Sequence, residues 1–180
     1  IMPSLVGSEM CIRDRSILCI GGFLVTGSSN GFNQIIERDL DKLMDRTKGR
    51  PLAKGTLSLT EAFFVASFSG LIGVGMLFYL NTLTGVLGVL ALFSYVAIYT
   101  PLKRITPWAV FIGAFPGAIP PMLGWVAATG SFGLEPGILF ALQFMWQFPH
   151  FWAIAWKSDD DYLNAGFRLL SSPNGRDSPS

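Results

Sequence analysis

The chain has 180 residues, 51% of them hydrophobic and only 14% charged, with a net charge of +1. A soluble domain carries roughly 25% charged residues, so these figures exclude a disordered chain, an acidic or basic tail and a typical nucleic-acid binder. Mean hydropathy is +0.47, and with 15 Phe, 5 Trp and 20 Gly the expected class is all-α: a polytopic transmembrane helix bundle in the lipid bilayer, with small residues at helix contacts.

Residues 1–15 (IMPSLVGSEMCIRDR) are neither a span nor a signal peptide, because no basic stretch leads into an apolar run of 7–15 residues. They are expected to be a non-native or disordered segment. Cys11 and Cys19 belong to no disulfide framework and no CxxC zinc spacing. Crossing the hydrocarbon core takes about 20 mostly apolar residues. Five stretches qualify as candidate spans: 17–36, 61–79, 83–99, 108–129 and 137–156. The first begins apolar and turns polar. The fourth contains Pro116, Pro120 and Pro121 and the fifth Pro149, so neighbouring groups are expected to satisfy the carbonyls these prolines free. Gly113, Gly117 and Gly124 are expected to let the fourth span approach its neighbours closely. A polar tail, 171–180, follows.

The connections alternate in character. The first carries Asp41, Lys42, Asp45, Arg46, Lys48, Arg50 and Lys54; the third carries Lys103 and Arg104; Lys157 and Asp159–Asp161 follow the fifth span. The second has no charge and the fourth only Glu135. The positive-inside rule puts the charged set in the cytoplasm. Three polar clusters far apart in sequence then share one membrane face.

In the first cluster, Asn33, Glu37 and Asp41 are spaced four apart. On a helix they form a stripe roughly 12 Å long. Such oxygen ligands suit Mg²⁺, which takes one or two carboxylates plus substrate phosphates. The same residues also read as a solvated helix end, but carboxylates near membrane depth are costly and usually functional. In the second, Arg46, Lys48 and Arg50, joined by Lys103 and Arg104, could clamp a diphosphate or simply obey the positive-inside rule. In the third, His150 is the only histidine. Among Trp146, Phe148, Phe151 and Trp152 it could face a flat aromatic substrate or only hold helices together. Asp160 and Asp161 could complete a second Mg²⁺ site or cap a loop. Together the clusters describe acid–base–acid chemistry at the mouth of an apolar cavity, which fits a lipid diphosphate.

Asn33-xxx-Glu37-xxx-Asp41, followed by Met44-Asp-Arg-Thr-Lys-Gly-Arg-Pro-Leu52, resembles the first signature of the UbiA superfamily of intramembrane prenyltransferases. Within it, three further stretches resemble the haem-farnesylating branch. These are Tyr99-Thr-Pro-Leu-Lys-Arg-Ile-Thr-Pro107, Gly113-Ala-xx-Gly-Ala-xx-Pro-Pro-xx-Gly-Trp125 and Trp146-Gln-x-Pro-His-Phe followed by Asp-Asp-Tyr162-xx-Ala-Gly166. The resemblance covers residues 26–170, and 16–170 is taken as a partial domain of this type. Glu37 stands where many superfamily members have Asp. The quinone branch usually has a second Asp-xxx-Asp, but here Asp161 is followed by Ala165 and Asp160 by Asn164. The family pattern has another span before the first signature and about four after the last, so the chain is expected to be a fragment.

The resemblance implies transfer of a farnesyl group from farnesyl diphosphate to a vinyl group of haem B in a bacterial inner membrane, giving haem O for terminal oxidases. Haem B is then a substrate, not a resident cofactor, and haem-pathway or oxidase-assembly proteins are implied partners. Asn33, Glu37, Asp41, Lys103 and Arg104 are the implied catalytic set. Arg46, Arg50, Tyr99, Trp146 and His150 would bind substrate, and Asn33, Glu37, Asp41, Asp160 and Asp161 would hold Mg²⁺. Two alternatives stand beside this: a related enzyme acting on a quinone precursor, and a non-catalytic ion-binding or transport bundle.

Overall fold

The computed structural model describes residues 11–158; Asp160 and Asp161 lie outside them. Among the described residues the regular structure is helical. Its elements are α1 (Ile12–Asp41), α2 (Pro51–Lys54), α3 (Leu59–Leu80), α4 (Thr82–Phe93), a π-helical stretch (Ser94–Tyr99), α5 (Thr100–Leu102), α6 (Ala109–Thr129) and α7 (Leu134–Lys157). The stretch from α4 through α5 runs on as one rod, Thr82–Leu102.

Five long helices therefore stand near the five expected spans, but only three are both long and apolar enough to cross a membrane. These are Leu59–Leu80, Thr82–Leu102 and Ala109–Thr129. α1 and α7, at the first and fifth expected spans, are less apolar than the other three. The reason lies in what they carry: α1 buries Ser28, Ser29, Asn33, Glu37 and Asp41, and α7 carries Gln147 and His150 around Pro149. These two helices contribute polar groups where the other three contribute hydrocarbon.

Local chemistry sets the helix ends. Ser58 opens α3 with a capping box. Its Oγ accepts from the Glu61 N–H at 3.2 Å, and Glu61 Oε2 accepts from the Ser58 N–H at 3.0 Å. Asn81 turns the chain between α3 and α4. Its Oδ1 accepts from the Thr84 N–H at 2.8 Å, and its Nδ2 donates to the Val126 carbonyl of α6 at 3.2 Å. Gly130 closes α6 with φ 70°, a left-handed conformation that costs glycine little.

Small residues let α1 and α3 lie close together. A Cβ on Gly73 would stand 2.8 Å from the Gly21 carbonyl oxygen. The main core joins α1, α3, α4 and α6 through Val25, Leu77, Leu87, Ile119, Leu123 and Val126. Between α6 and α7, Phe111, Phe115, Phe140, Phe144 and Phe148 interleave, with Phe115 and Phe144 centroids 4.9 Å apart. The outward faces show Phe64, Phe68 and Leu71 to the surroundings, as lipid-facing helices do.

The prolines of α6 are accommodated as expected at one point. Pro121 has no N–H for the carbonyl four residues back, that of Gly117. Gln147 of α7 supplies the missing donor: its Nε2 donates to the Gly117 carbonyl at 3.2 Å. Gly117 must lack a side chain for this, because a Cβ there would lie 2.6 Å from Gln147 Nε2. Gly113 makes a comparable close approach to Tyr99, whereas Gly124 has open space where its side chain would be. The expected packing role for Gly124 is therefore corrected.

Candidate active site

The stripe on α1 is real and turned inward. Asn33, Glu37 and Asp41 are 5%, 2% and 1% exposed. Three buried polar side chains at one helix end are costly unless partnered, and the partners come from two distant segments. Lys103, just past α5, donates to Glu37 Oε2 at 2.6 Å. Arg50, in the loop before α2, donates from Nη1 to both Asp41 oxygens, at 2.9 and 2.8 Å.

Asn33 ties the arrangement together. Its Nδ2 donates to Glu37 Oε2 at 2.9 Å and to Thr100 Oγ1 at 3.3 Å. Thr100 in turn donates from Oγ1 to the Tyr95 carbonyl at 2.9 Å. That carbonyl also accepts the Thr100 N–H, five residues on. The π-helical register thus brings Tyr95, Tyr99 and Thr100 to the same side of the rod. Pro101 crowds the carbonyl four residues before it, and the helix widens over that turn. Such widened turns recur at functional sites. Thr47 completes the loop by donating to the Asp41 carbonyl at 3.0 Å.

All of these residues but Thr100 and Pro101 line a cavity of about 240 Å³, together with the exposed Arg46 and with Val110, Phe151 and Ala155 among its apolar walls. Tyr99 forms part of the wall, with the Lys103 ammonium 5.6 Å from its ring centroid. Burial pushes the Lys103 ammonium below the usual lysine range, while Glu37 and Asp41 pull it back up. The cavity combines two carboxylates, three cations and an apolar floor.

One atom points to a missing ligand. Glu37 Oε1 is buried and has no hydrogen-bond partner. A buried carboxyl oxygen in that position calls for a cation or a donor. Among the described residues no three His, Cys, Asp or Glu side chains gather into a protein-only metal cage. Mg²⁺ does not require one, since it keeps waters and takes few carboxylates. The donor set therefore fits a hard divalent cation shared with phosphate oxygens.

The expected site residues divide by place. Asn33, Glu37, Asp41, Arg46, Arg50, Tyr99 and Lys103 line the cavity together. Arg104 is exposed and is not among the lining residues. Trp146 and His150 stack on each other on an exposed face of α7, centroids 4.6 Å apart. Phe151, which lines the cavity, has its ring centre 6.3 Å from that of His150. Sequence reasoning missed Thr47, Thr100 and Tyr95. Thr47 and Thr100 stand next to Arg46 and Tyr99 inside the quoted motifs, and Tyr95 precedes Tyr99 by about one turn, but single hydroxyl residues carry no periodicity of their own.

The profile of the UbiA prenyltransferase family matches residues 11–178. A protein from Christiangramia forsetii named protoheme IX farnesyltransferase is 57% identical over 161 residues, covering 89% of this chain and 53% of its own length. Proteins of the same name from Flavobacterium johnsoniae and Cytophaga hutchinsonii are 53% and 52% identical, covering 88% and 89% of this chain and 53% and 56% of theirs. The chain spans about half the length of the curated relatives it matches. An apo structure of a UbiA homolog from Aeropyrum pernix K1 shares the fold with a TM-score of 0.70 at 24% identity, covering 88% of this chain and 60% of that one.

Proposed function

Because this chain belongs to the UbiA prenyltransferase family, a family of integral membrane proteins, we propose that it is part of a haem-farnesylating enzyme. The reaction joins farnesyl diphosphate to haem B and gives haem O. The bond between farnesyl C1 and the diphosphate oxygen breaks, and its electron pair leaves with the diphosphate. The terminal carbon of a haem vinyl group supplies the electron pair for the new C–C bond. Water adds to the resulting cation and loses a proton, leaving a hydroxyl group. The observation that carries the reading is the buried cavity in which Glu37 and Asp41 face Arg50 and Lys103, together with the name shared by the curated relatives.

Asn33, Glu37 and Asp41 would hold Mg²⁺, with Asp160 and Asp161 outside the described residues as the second set. When bound, the ion neutralises diphosphate charge and stabilises the leaving group. Arg46, Arg50 and Lys103 direct fixed positive charge at the departing oxygens, an effect strengthened by a partly dry site. Tyr99 and Phe151 shape the wall beside the allylic carbon and exclude water. Trp146 and His150 are proposed to meet haem on the exposed face of α7, and Arg104 to add positive charge from outside the cavity lining. The catalytic loops are proposed to face the cytoplasm of a bacterial inner membrane, with haem-pathway or oxidase-assembly proteins as partners.

The test is mass analysis of haem extracted from membranes holding this chain and supplied with haem B, farnesyl diphosphate and Mg²⁺. The expected product has the mass of haem B plus a farnesyl group and water. The same assay on the full-length protein separates an inactive half from a wrong substrate. Failure of both, with turnover of a quinone precursor instead, would overturn the haem assignment.

A further inference from the structure

A second cavity, of about 520 Å³, is lined by the end of α1, by α2 and by the start of α3. Its basic lining is Arg38, Lys42 and Lys54, and its apolar lining includes Leu52, Leu57 and Leu59. Arg38 and Lys42 each follow an active-site carboxylate by one residue, a rotation of about 100° around the helix. One helix end therefore presents acids to one cavity and bases to the next. Among the charged neighbours, Asp39 accepts from Lys42 Nζ at 2.9 Å and from Arg38 Nε at 3.4 Å. It is 69% exposed and is not among the lining residues; together with Glu61, whose carboxylate accepts from the lining Ser58, it offsets part of the charge and leaves the three cations in excess. The capping box at Ser58 occupies the Ser58 and Glu61 N–H groups, and the side-chain cations supply the charge for binding an anion.

Height in the bilayer identifies the ligand. Leu59, on the cavity wall, is the first residue of the membrane-crossing helix Leu59–Leu80. The cavity thus borders the start of a membrane-crossing helix, the level at which headgroups are expected to meet acyl chains, and it combines cations with leucines. Basic pockets at this level select phosphate-bearing lipids. We propose that this cavity binds the phosphate of an anionic phospholipid, with the upper acyl chain against Leu57 and Leu59, as a lipid site separate from the prenyl-transfer cavity.

The purified chain in detergent, titrated with phosphatidylglycerol or with phosphatidylcholine of the same acyl chains, tests this by native mass spectrometry. Phosphatidylglycerol is expected to bind at least about tenfold more tightly. The triple variant Arg38→Gln, Lys42→Gln, Lys54→Gln is expected to lose that preference. A control with the same charge removed elsewhere, Arg13→Gln, Arg15→Gln, Lys157→Gln, is expected to keep it. Lys54→Glu alone, at the exposed end of α2, gives a milder change with the same sign, and unchanged helicity by circular dichroism shows that each variant folds. Equal binding of the two lipids, or equal loss in the control, would overturn the site. Complete displacement of phosphatidylglycerol by inorganic phosphate in the submillimolar range would overturn the lipid as its ligand.

Discussion

Lys103 donates to Glu37 Oε2 at 2.6 Å although the two residues are 66 apart in the chain. Both are largely buried, at 13% and 2% side-chain exposure. The contact fastens the end of the Thr82–Leu102 rod to α1 and sets a cation beside the unpartnered Glu37 Oε1.

Removing one partner of a buried pair leaves an uncompensated charge, which costs about 3–5 kcal/mol. Lys103→Met is therefore expected to destabilise the chain by that order, measured by detergent-denaturation titration. Glu37→Gln combined with Lys103→Met is expected to recover most of the loss. Additive losses in the double variant would show that the two side chains do not act as a pair.

Asp41→Asn keeps the side chain's shape and removes its charge. In the full-length protein, farnesyl transfer is expected to vanish while membrane insertion persists. Lys103→Met is expected to lower turnover about 10²–10³-fold, the usual loss when one charge-stabilising donor is removed. Full activity in Asp41→Asn, assayed across a Mg²⁺ titration, would remove Asp41 from the proposed metal set.

Thr100 anchors Asn33 while its own hydroxyl hydrogen is committed to the Tyr95 carbonyl. Thr100→Val removes both bonds at nearly constant volume. The expected cost is about 1–3 kcal/mol, with weaker binding of farnesyl diphosphate read as a raised KM. Thr100→Ser restores the hydroxyl and is expected to restore both properties.

Gln147 and Pro121 make a sharper pair. Gln147→Leu leaves the Gly117 carbonyl without a donor and is expected to cost about 1–3 kcal/mol. In a Pro121→Ala background the helix regains its own N–H for that carbonyl. The Gln147→Leu penalty is expected to shrink there to a fraction of its size, measured by the same titration. An equal penalty in both backgrounds would mean that Gln147 acts through packing alone.

Asn81 serves two helices at once, capping α4 and bonding the end of α6. Asn81→Ala is expected to cost about 1 kcal/mol for the lost cap and a further part for the lost bonds to the Val126 and Ala127 carbonyls, although Val126 keeps its bond from the Gly130 N–H. Asn81→Asp, which keeps the capping oxygen but cannot donate from an amide, is expected to recover only the first part. Thermal stability in detergent separates the two contributions.

Composition and hydrophobic runs alone determined the helical class and where the long helices lie, because burying twenty apolar residues in a row leaves a chain few other solutions. The four-residue spacing of Asn33, Glu37 and Asp41 also determined their common face, since that is a property of one helix. Which face turned inward, and which cations met it, was decided only by tertiary structure. Arg46, Arg50, Lys103 and Arg104 look alike in sequence, yet Arg46, Arg50 and Lys103 line the cavity and Arg104 does not. A one-residue step along a helical turn rotates a side chain by about 100°, and the π-helical widening before Pro101 shifts that rotation. The Trp146–His150 stack shows the same limit. Aromatic clustering was legible, but its direction depended on Pro149 and on how the phenylalanines of α6 and α7 interleave. Nor could the chain order tell that Gln147 would replace the N–H that Pro121 lacks, because that bond joins α7 to α6 across 30 residues.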